Sequence, residues 1–560
     1  MPLGLAWRLR DKKGSPSLPT SSMDSRAARL CSAWLATSFA GLLATVCQSV
    51  LSRGLWEDGY FVIRFAYNLR HHGTFAWNPS DGPVYGMTSQ TLQLLGTVIY
   101  ALDPAHVVTW LRVLSCGALF CAWLAIGRVL RAHAAYPWGL VPAAASLSLP
   151  LLLELIPSGL ETALAILALT LSIHAALELA AGRGGALAVA LTQLLVYWTR
   201  PDAILVPLTL LAFAFGPARR RALAAAALIA AGLALSWLGF HAYYGTALPL
   251  PFYIKTRGIS VQTAAHLAIF AREKAKNALQ ALFFALPFVY VALHERTRRS
   301  IALLVSGLCL SGYHYLATVE TMGHLSRFYV PALVPIWIAA ALSYETFLRE
   351  RRARLTLALL ASYLALYVAL ARLDTALRID ILLRHVHFYP YLATCCVMLL
   401  APFSRPLVAA GMLGATLWLG AGWLYPVRSP RIEDDRSILL RQIAPRRTFR
   451  GLSRLRERIE VRALFHTDMG APGVLFPEAR VVDLDGLLNE DITLHGARFA
   501  ALCERDRPEA IFVPNESYPE LRREVLESEC LRDYRPVDAD PSSPLRVRAD
   551  LLARYLEERK

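Results

Sequence analysis

Two adjacent carboxylates, Glu57 and Asp58, stand in the segment Gly54-Leu55-Trp56-Glu57-Asp58-Gly59-Tyr60, just after the apolar run of residues 30–51. A carboxylate at a bilayer surface has lost part of its water shell and can act as a general base toward a hydroxyl. The same pair suits a hard divalent cation, and Asp58 also suits the bland role of a helix cap. Further along, Glu161 opens the apolar run 160–181. A carboxylate at that depth is costly unless paired, although a helix N-terminus also favours an acid. Arg200 lies between two apolar runs, where it either lines a site or snorkels to the interface. Lys255, Arg257, His324 and Arg327 add positive charge to other segments between apolar runs. Such cations stabilise negative charge developing on a phosphate leaving group, and a guanidinium matches phosphate geometry best. Lys255 and Arg327 are the favoured pair for that role. His71 and His72 are neighbours in sequence and point apart on a helix or strand, which argues against a shared metal. The sequence has no P-loop and no dinucleotide-binding glycine pattern, so a soluble nucleotide has no obvious cradle.

The elements that must position these residues are read from composition and charge. Of the 560 residues, 55% are hydrophobic and 18% charged, with a formal net charge of +16. A soluble protein carries about 25% charged residues. The balance excludes a disordered chain, a collagen and a typical soluble enzyme, and nine cysteines are too few for a disulfide scaffold. In a polytopic membrane protein, excess arginine belongs to cytoplasmic loops rather than to nucleic-acid binding. A helix needs about 20 apolar residues to cross a bilayer. The run 88–101 is too short and is read as an interfacial helix. That choice puts Arg128 and Arg131 inside. It also places inside Arg183, Arg219 to Arg221, Arg296, Arg298 and Arg299, Arg349, Arg351, Arg352 and Arg354, and Arg405.

Spans are then expected at 30–51, 106–127, 136–154, 160–181, 185–199, 202–216, 222–240, 278–294, 300–318, 328–347, 355–371, 387–403 and 406–425. The pair 185–199 and 202–216 also reads as one broken hairpin. The fold class is thus an α-helical polytopic membrane protein of about 13 spans with a small C-terminal α/β domain. Its parts are a basic cytoplasmic tail at 1–29, a membrane domain at 30–425 whose first outer loop is 52–105, and an extracytoplasmic domain at 426–560. In that last domain the runs 461–467, 479–484 and 510–514 read as strands, and 519–528 and 548–558 as helices. Cys503 and Cys530 are the two cysteines expected there. An oxidising compartment allows them to pair across the strand-like Ala510–Pro514.

The order of motifs along the chain resembles a known family. Glu57-Asp58-Gly59-Tyr60 is followed by Arg64, Asn68, Gly73, Asn78-Pro79 and Val84-Tyr85-Gly86-Met87-Thr88. Then come Ser158-Gly159-Leu160-Glu161-Thr162, Thr199-Arg200-Pro201-Asp202, Tyr243-Tyr244-Gly245 with Pro249 and Lys255, and Arg327-Phe328 with Pro331. Asp468-Met469-Gly470, Asp483, Gly486-Leu487 and Asn489 close the series. This set resembles the GT-C membrane glycosyltransferases, within them the branch of the mycobacterial terminal arabinofuranosyltransferases. The family pattern has an Asp where Glu57 stands, a Glu where Tyr85 stands and an Asn where Leu250 stands. The resemblance implies transfer of a sugar from a polyprenyl-phosphate donor at the outer face of the cell (inner) membrane to an envelope glycan, lipid or protein. Glu57 or Asp58 would be the base, and Arg64, Glu161, Arg200, Lys255, His324 and Arg327 would line the substrate site. No cofactor is required by this reading, and a divalent cation is compatible with it. The alternatives are a transporter or flippase, which should show inverted repeats or paired broken helices, and a non-catalytic envelope-assembly protein.

Overall fold

The computed structural model describes residues 55–402 and 447–556, apart from breaks at 56, 137, 150–151, 153–154, 215–217, 262–263, 319–326, 351, 378–387, 516–517 and 538–543. The expected spans 30–51 and 406–425 lie outside the described residues. The segment 52–105 contains α1 (Phe61–His72) and α2 (Gln90–Leu102), which pack on each other. Ser89 caps α2 by accepting the Leu92 N–H at 3.2 Å. At 13 residues α2 is short of a span.

The chain then runs through α3 (Val107–Ala132), α4 (Leu140–Leu147), α5 (Thr162–Ala180), α6 (Ala186–Thr199), α7 (Leu205–Ala214) and α8 (Arg219–Tyr244). After α9 (Leu250–Val261) come α10 (Ala264–Ala292), α11 (Arg298–Ala317), α12 (Val330–Glu350), α13 (Ala353–Leu377) and α14 (Phe388–Leu400). Among the described residues, seven helices are long and apolar enough to cross a membrane, in α3, α5, α8, α10, α11, α12 and α13. α12 is buried along most of its length and forms the centre of the bundle, whereas α8 and α13 are largely exposed at its edge.

Within the expected span 136–154 the described residues include the eight buried residues of α4, and a turn follows at Ile156–Ser158. Ser146 and Ser148 donate back to the carbonyls of Ala143 and Ala145. The segments 185–199 and 202–216 form α6 and α7, of 14 and 10 residues, split at Arg200-Pro201. The basic ends of several helices gather at one end of the bundle. Arg183 donates to Ala132 O at 3.3 Å and Arg221 to Gly182 O at 2.6 Å, tying the ends of α3 and α5 to the start of α8.

The C-terminal region begins with α15 (Arg447–Arg458) and continues as a five-stranded sheet. Its elements are β1 (Ala463–His466), α16 (Gly470–Leu475), β2 (Arg480–Asp483), α17 (Glu490–Thr493), α18 (Phe499–Asp506), β3 (Ala510–Phe512), α19 (Pro519–Glu527), β4 (Tyr534–Pro536), β5 (Leu545–Arg548) and α20 (Leu552–Leu556). The order is β2-β1-β3-β5-β4, with β1 parallel to β2 and β3, and β5 antiparallel to β3 and β4. The parallel strands are buried almost throughout, as their apolar runs require. Cys503 in α18 and Cys530 form a disulfide, with their Cα atoms 6.3 Å apart.

Candidate functional site

The acidic motif folds as a single 3-10 turn, Glu57–Tyr60, lying against the turn that precedes α5. Gly59 permits this approach, because a Cβ there would stand 2.6 Å from Ser158 O. On the facing turn Gly159 has φ +78°, and a Cβ there would meet Leu55 Cδ2 at 2.7 Å. The two glycines therefore fix where Asp58 and Glu161 sit relative to one another. The side chain of Glu57 lies outside the described residues, and so does His324.

Three ion pairs surround the opening. Arg327 Nη2 donates to Asp58 Oδ2 at 2.8 Å. Arg200 is held twice, through Nη1 to Glu161 Oε1 at 3.0 Å and through Nε to Asp202 Oδ2 at 3.2 Å. His314, near the end of α11, places Nε2 2.8 Å from the same Asp202 oxygen. Phe328 joins these groups. Lys255 Nζ lies 4.8 Å from its ring centroid, and the Arg200 and Arg327 guanidinium carbons each lie 5.3 Å from it. His314 stacks on the ring at 5.7 Å. Such cation–ring contacts are worth about 0.5–2 kcal/mol each, the larger values applying where water is excluded. They partly offset the repulsion among three like charges.

Lys255 reaches this position because α9 is anchored at its start. Leu250 N–H donates to Tyr85 O at 2.8 Å, and the Tyr85 ring stacks on Tyr244 with centroids 5.0 Å apart. Tyr85, which stands where the resembled family has an acid, is thus a buried packing residue that sets the register of α9. Burial lowers the Lys255 ammonium to about 8, Arg327 acting in the same direction and Asp58 against it.

These side chains form one wall of a cavity of about 430 Å³. The other walls are apolar and aromatic, among them Phe61, Leu92, Tyr197, Trp237 and Phe252. The C-terminal domain closes the rim with Leu487, carried on the turn after β2. That turn is built by Asp483, whose carboxylate accepts the N–H groups of Asp485 and Leu488 at 2.9 and 2.8 Å. Burial raises the Asp485 carboxyl, and nearby Lys255 works against that rise.

Of the residues singled out from sequence, Asp58, Glu161, Arg200, Lys255 and Arg327 come together at this cavity. Arg64 does not. It is 1% exposed, and its donors go to the carbonyls of Trp77, Gly473, Phe476 and Ala479 and to Asn78 Oδ1, at 2.6–3.0 Å. It fastens the first outer loop to the C-terminal domain. Asp202 and Phe328 stand within the sequence motifs but were given no role at the site, and His314 belongs to none of those motifs. Asp202 and Phe328 carried a signal, each adjoining or nearly adjoining a selected arginine, whereas His314 sits in an apolar helix that offers none. Among the described residues, no group of three His, Cys, Asp or Glu side chains is arranged to hold a metal ion. No protein-family model matches the chain, and no curated protein matches it.

Proposed function

We propose that the protein is an integral-membrane glycosyltransferase that moves a sugar from a polyprenyl-phosphate donor to an envelope glycan, lipid or protein acceptor. One observation carries this reading: three cations, gathered on one aromatic ring beside the carboxylates that hold two of them, share one wall of a cavity whose other walls are largely apolar and aromatic. A prenyl phosphate has the same division, an anionic head on an apolar chain. In the proposed step the acceptor oxygen attacks the anomeric carbon of the donor sugar. The bond from that carbon to the phosphate oxygen breaks, and its electron pair leaves with the phosphate. The acceptor proton passes to Asp58, the base assigned here. Lys255 and Arg327 stabilise the charge that builds on the departing phosphate, since fixed cations in a partly dry site act strongly on developing charge. Arg200, held by Glu161 and Asp202, keeps Phe328 and the cation group in register.

The arginine-rich ends of the bundle belong on the cytoplasmic side by the positive-inside rule. The cavity and the C-terminal domain then face outward, where the Cys503–Cys530 disulfide is at home. The test is photo-crosslinking. A polyprenyl phosphate bearing a diazirine near its head, irradiated with the purified protein, is expected to modify segments 197–205 and 248–255. Modification confined to the exposed faces of α8 and α13 would overturn the reading.

A further inference from the structure

The cavity is charge-balanced before any substrate enters. Its described lining residues include three carboxylates, Asp58, Glu161 and Asp202, and three full cations, Arg200, Lys255 and Arg327. These six groups leave no surplus of positive charge, so an anionic head competes with the carboxylates for the cations. The three cations differ in how firmly they are held. Arg200 has two carboxylate partners, at 3.0 and 3.2 Å. Arg327 has one, Asp58, at 2.8 Å. Lys255 has no carboxylate within ion-pair distance among the described residues, and its ammonium rests on the Phe328 ring. Lys255 is therefore the landing point for an anion. Arg327, on the same ring, is the neighbour with the fewest carboxylates to give up. The donor phosphodiester has two free oxygens, as a carboxylate has, but it can accept from the guanidinium and the ammonium together, whereas Asp58 pairs with Arg327 alone, which favours the exchange.

We infer that Arg327 exchanges Asp58 for the donor phosphate, so that binding of the donor is what frees the base. The inference rests on the lipid-phosphate reading given above and adds an order of events to it. Before the donor arrives, the Asp58 oxygen at 2.8 Å from Arg327 is occupied and is poorly placed to take a proton from a hydroxyl. After the exchange, Asp58 is a half-buried carboxylate without its guanidinium, a costly arrangement. An acceptor O–H donating to it relieves that cost. Donor binding thus precedes and promotes acceptor binding, and Arg327 is the positioning residue that links the two.

The experiment is a cryo-electron microscopy structure of the full chain in lipid nanodiscs with farnesyl phosphate, which carries the leaving group's phosphate on a short prenyl chain. The expected result is a phosphate bonded to Arg327 and Lys255, with every Asp58 oxygen beyond about 4 Å of the Arg327 guanidinium, the usual ion-pair limit. Farnesyl phosphate seated in the cavity with the Asp58–Arg327 pair intact would overturn the exchange and leave the lipid-phosphate reading standing. Absence of farnesyl phosphate from the cavity would overturn both. Infrared difference spectra supply a second readout. Adding farnesyl phosphate should shift a carboxylate band in the wild type, and this band should be missing in Asp58→Asn. An identical difference spectrum in that variant counts against the exchange.

Discussion

The Arg64 knot and the Phe328 cavity share helix α1, whose Phe61 lines the cavity and whose Arg64 follows one turn later, and both are built on buried guanidinium groups. Arg64 is 1% exposed and Arg327 8%. Their acceptors differ. Arg64 meets four backbone carbonyls and one amide oxygen, all neutral. Burial lowers its pKa to about 9, with Glu478 only partly compensating. Arg327 and Arg200 meet carboxylates, which a stronger anion can displace, and they border open space. Burial of an arginine therefore does not mark a site. A displaceable ionic partner beside a cavity does.

The sharpest way to break this comparison is at the two extremes. Asp58→Asn should lower sugar transfer by about 100- to 10,000-fold, the usual consequence of losing a positioned base, while the amide oxygen can still accept from Arg327 and the protein still folds. Near-normal turnover in that variant would move the base elsewhere. Arg64→Met should do the reverse. Each hydrogen bond to a charged group is worth about 1.5–3 kcal/mol, so losing five should cost at least about 3 kcal/mol of stability. Thermal unfolding followed by size-exclusion chromatography measures that loss, and the fraction that remains folded should turn over normally. A loss of turnover without a loss of stability would put Arg64 in the site after all.

Two smaller effects sharpen the picture. Replacing Cys503 and Cys530 by Ser removes a covalent loop and should destabilise the C-terminal domain by roughly 3 kcal/mol in the chain-entropy picture. Limited proteolysis of that domain reads it, and unchanged protection would show that packing alone holds α18 in place. The smallest effect is a pH dependence. Lys255 has an ammonium lowered to about 8, so it is charged below that pH and neutral above it. Binding of a prenyl phosphate should weaken as pH rises through about 8, by up to about tenfold, one pKa unit being worth about 1.4 kcal/mol. Lys255→Met should bind more weakly and lose this dependence. A dependence that survives in Lys255→Met belongs to another group.

Much of the architecture was legible because it follows from length and periodicity. The apolar runs of α3, α5, α8, α10, α11, α12 and α13 gave helices of spanning length, and three strand-like runs gave β1, β2 and β3. Where reading failed, local chemistry outweighed apolarity. Strands β4 and β5 are three and four residues long and carry arginines, so alternation had little to register. Asp58, Glu161, Arg200, Lys255 and Arg327 were found as charges beside apolar runs, a signal that survives folding because burying a charge needs a partner. Arg64 was expected at the site only through the family resemblance, and its neutral partners set it apart from the cavity cations. His314 and the role of Phe328 depend on the end of α11 meeting the start of α12, a juxtaposition no local pattern encodes.

The most direct test of the central claim is a phosphorus-31 NMR assay on the purified protein in nanodiscs, with polyprenyl-phosphate sugars and an envelope extract as acceptor. The proposed chemistry predicts that the donor phosphodiester signal falls while a polyprenyl phosphate monoester signal grows to match it, and that Asp58→Asn abolishes both changes. A donor signal that stays constant across a panel of sugars, or that falls equally in Asp58→Asn, would contradict it.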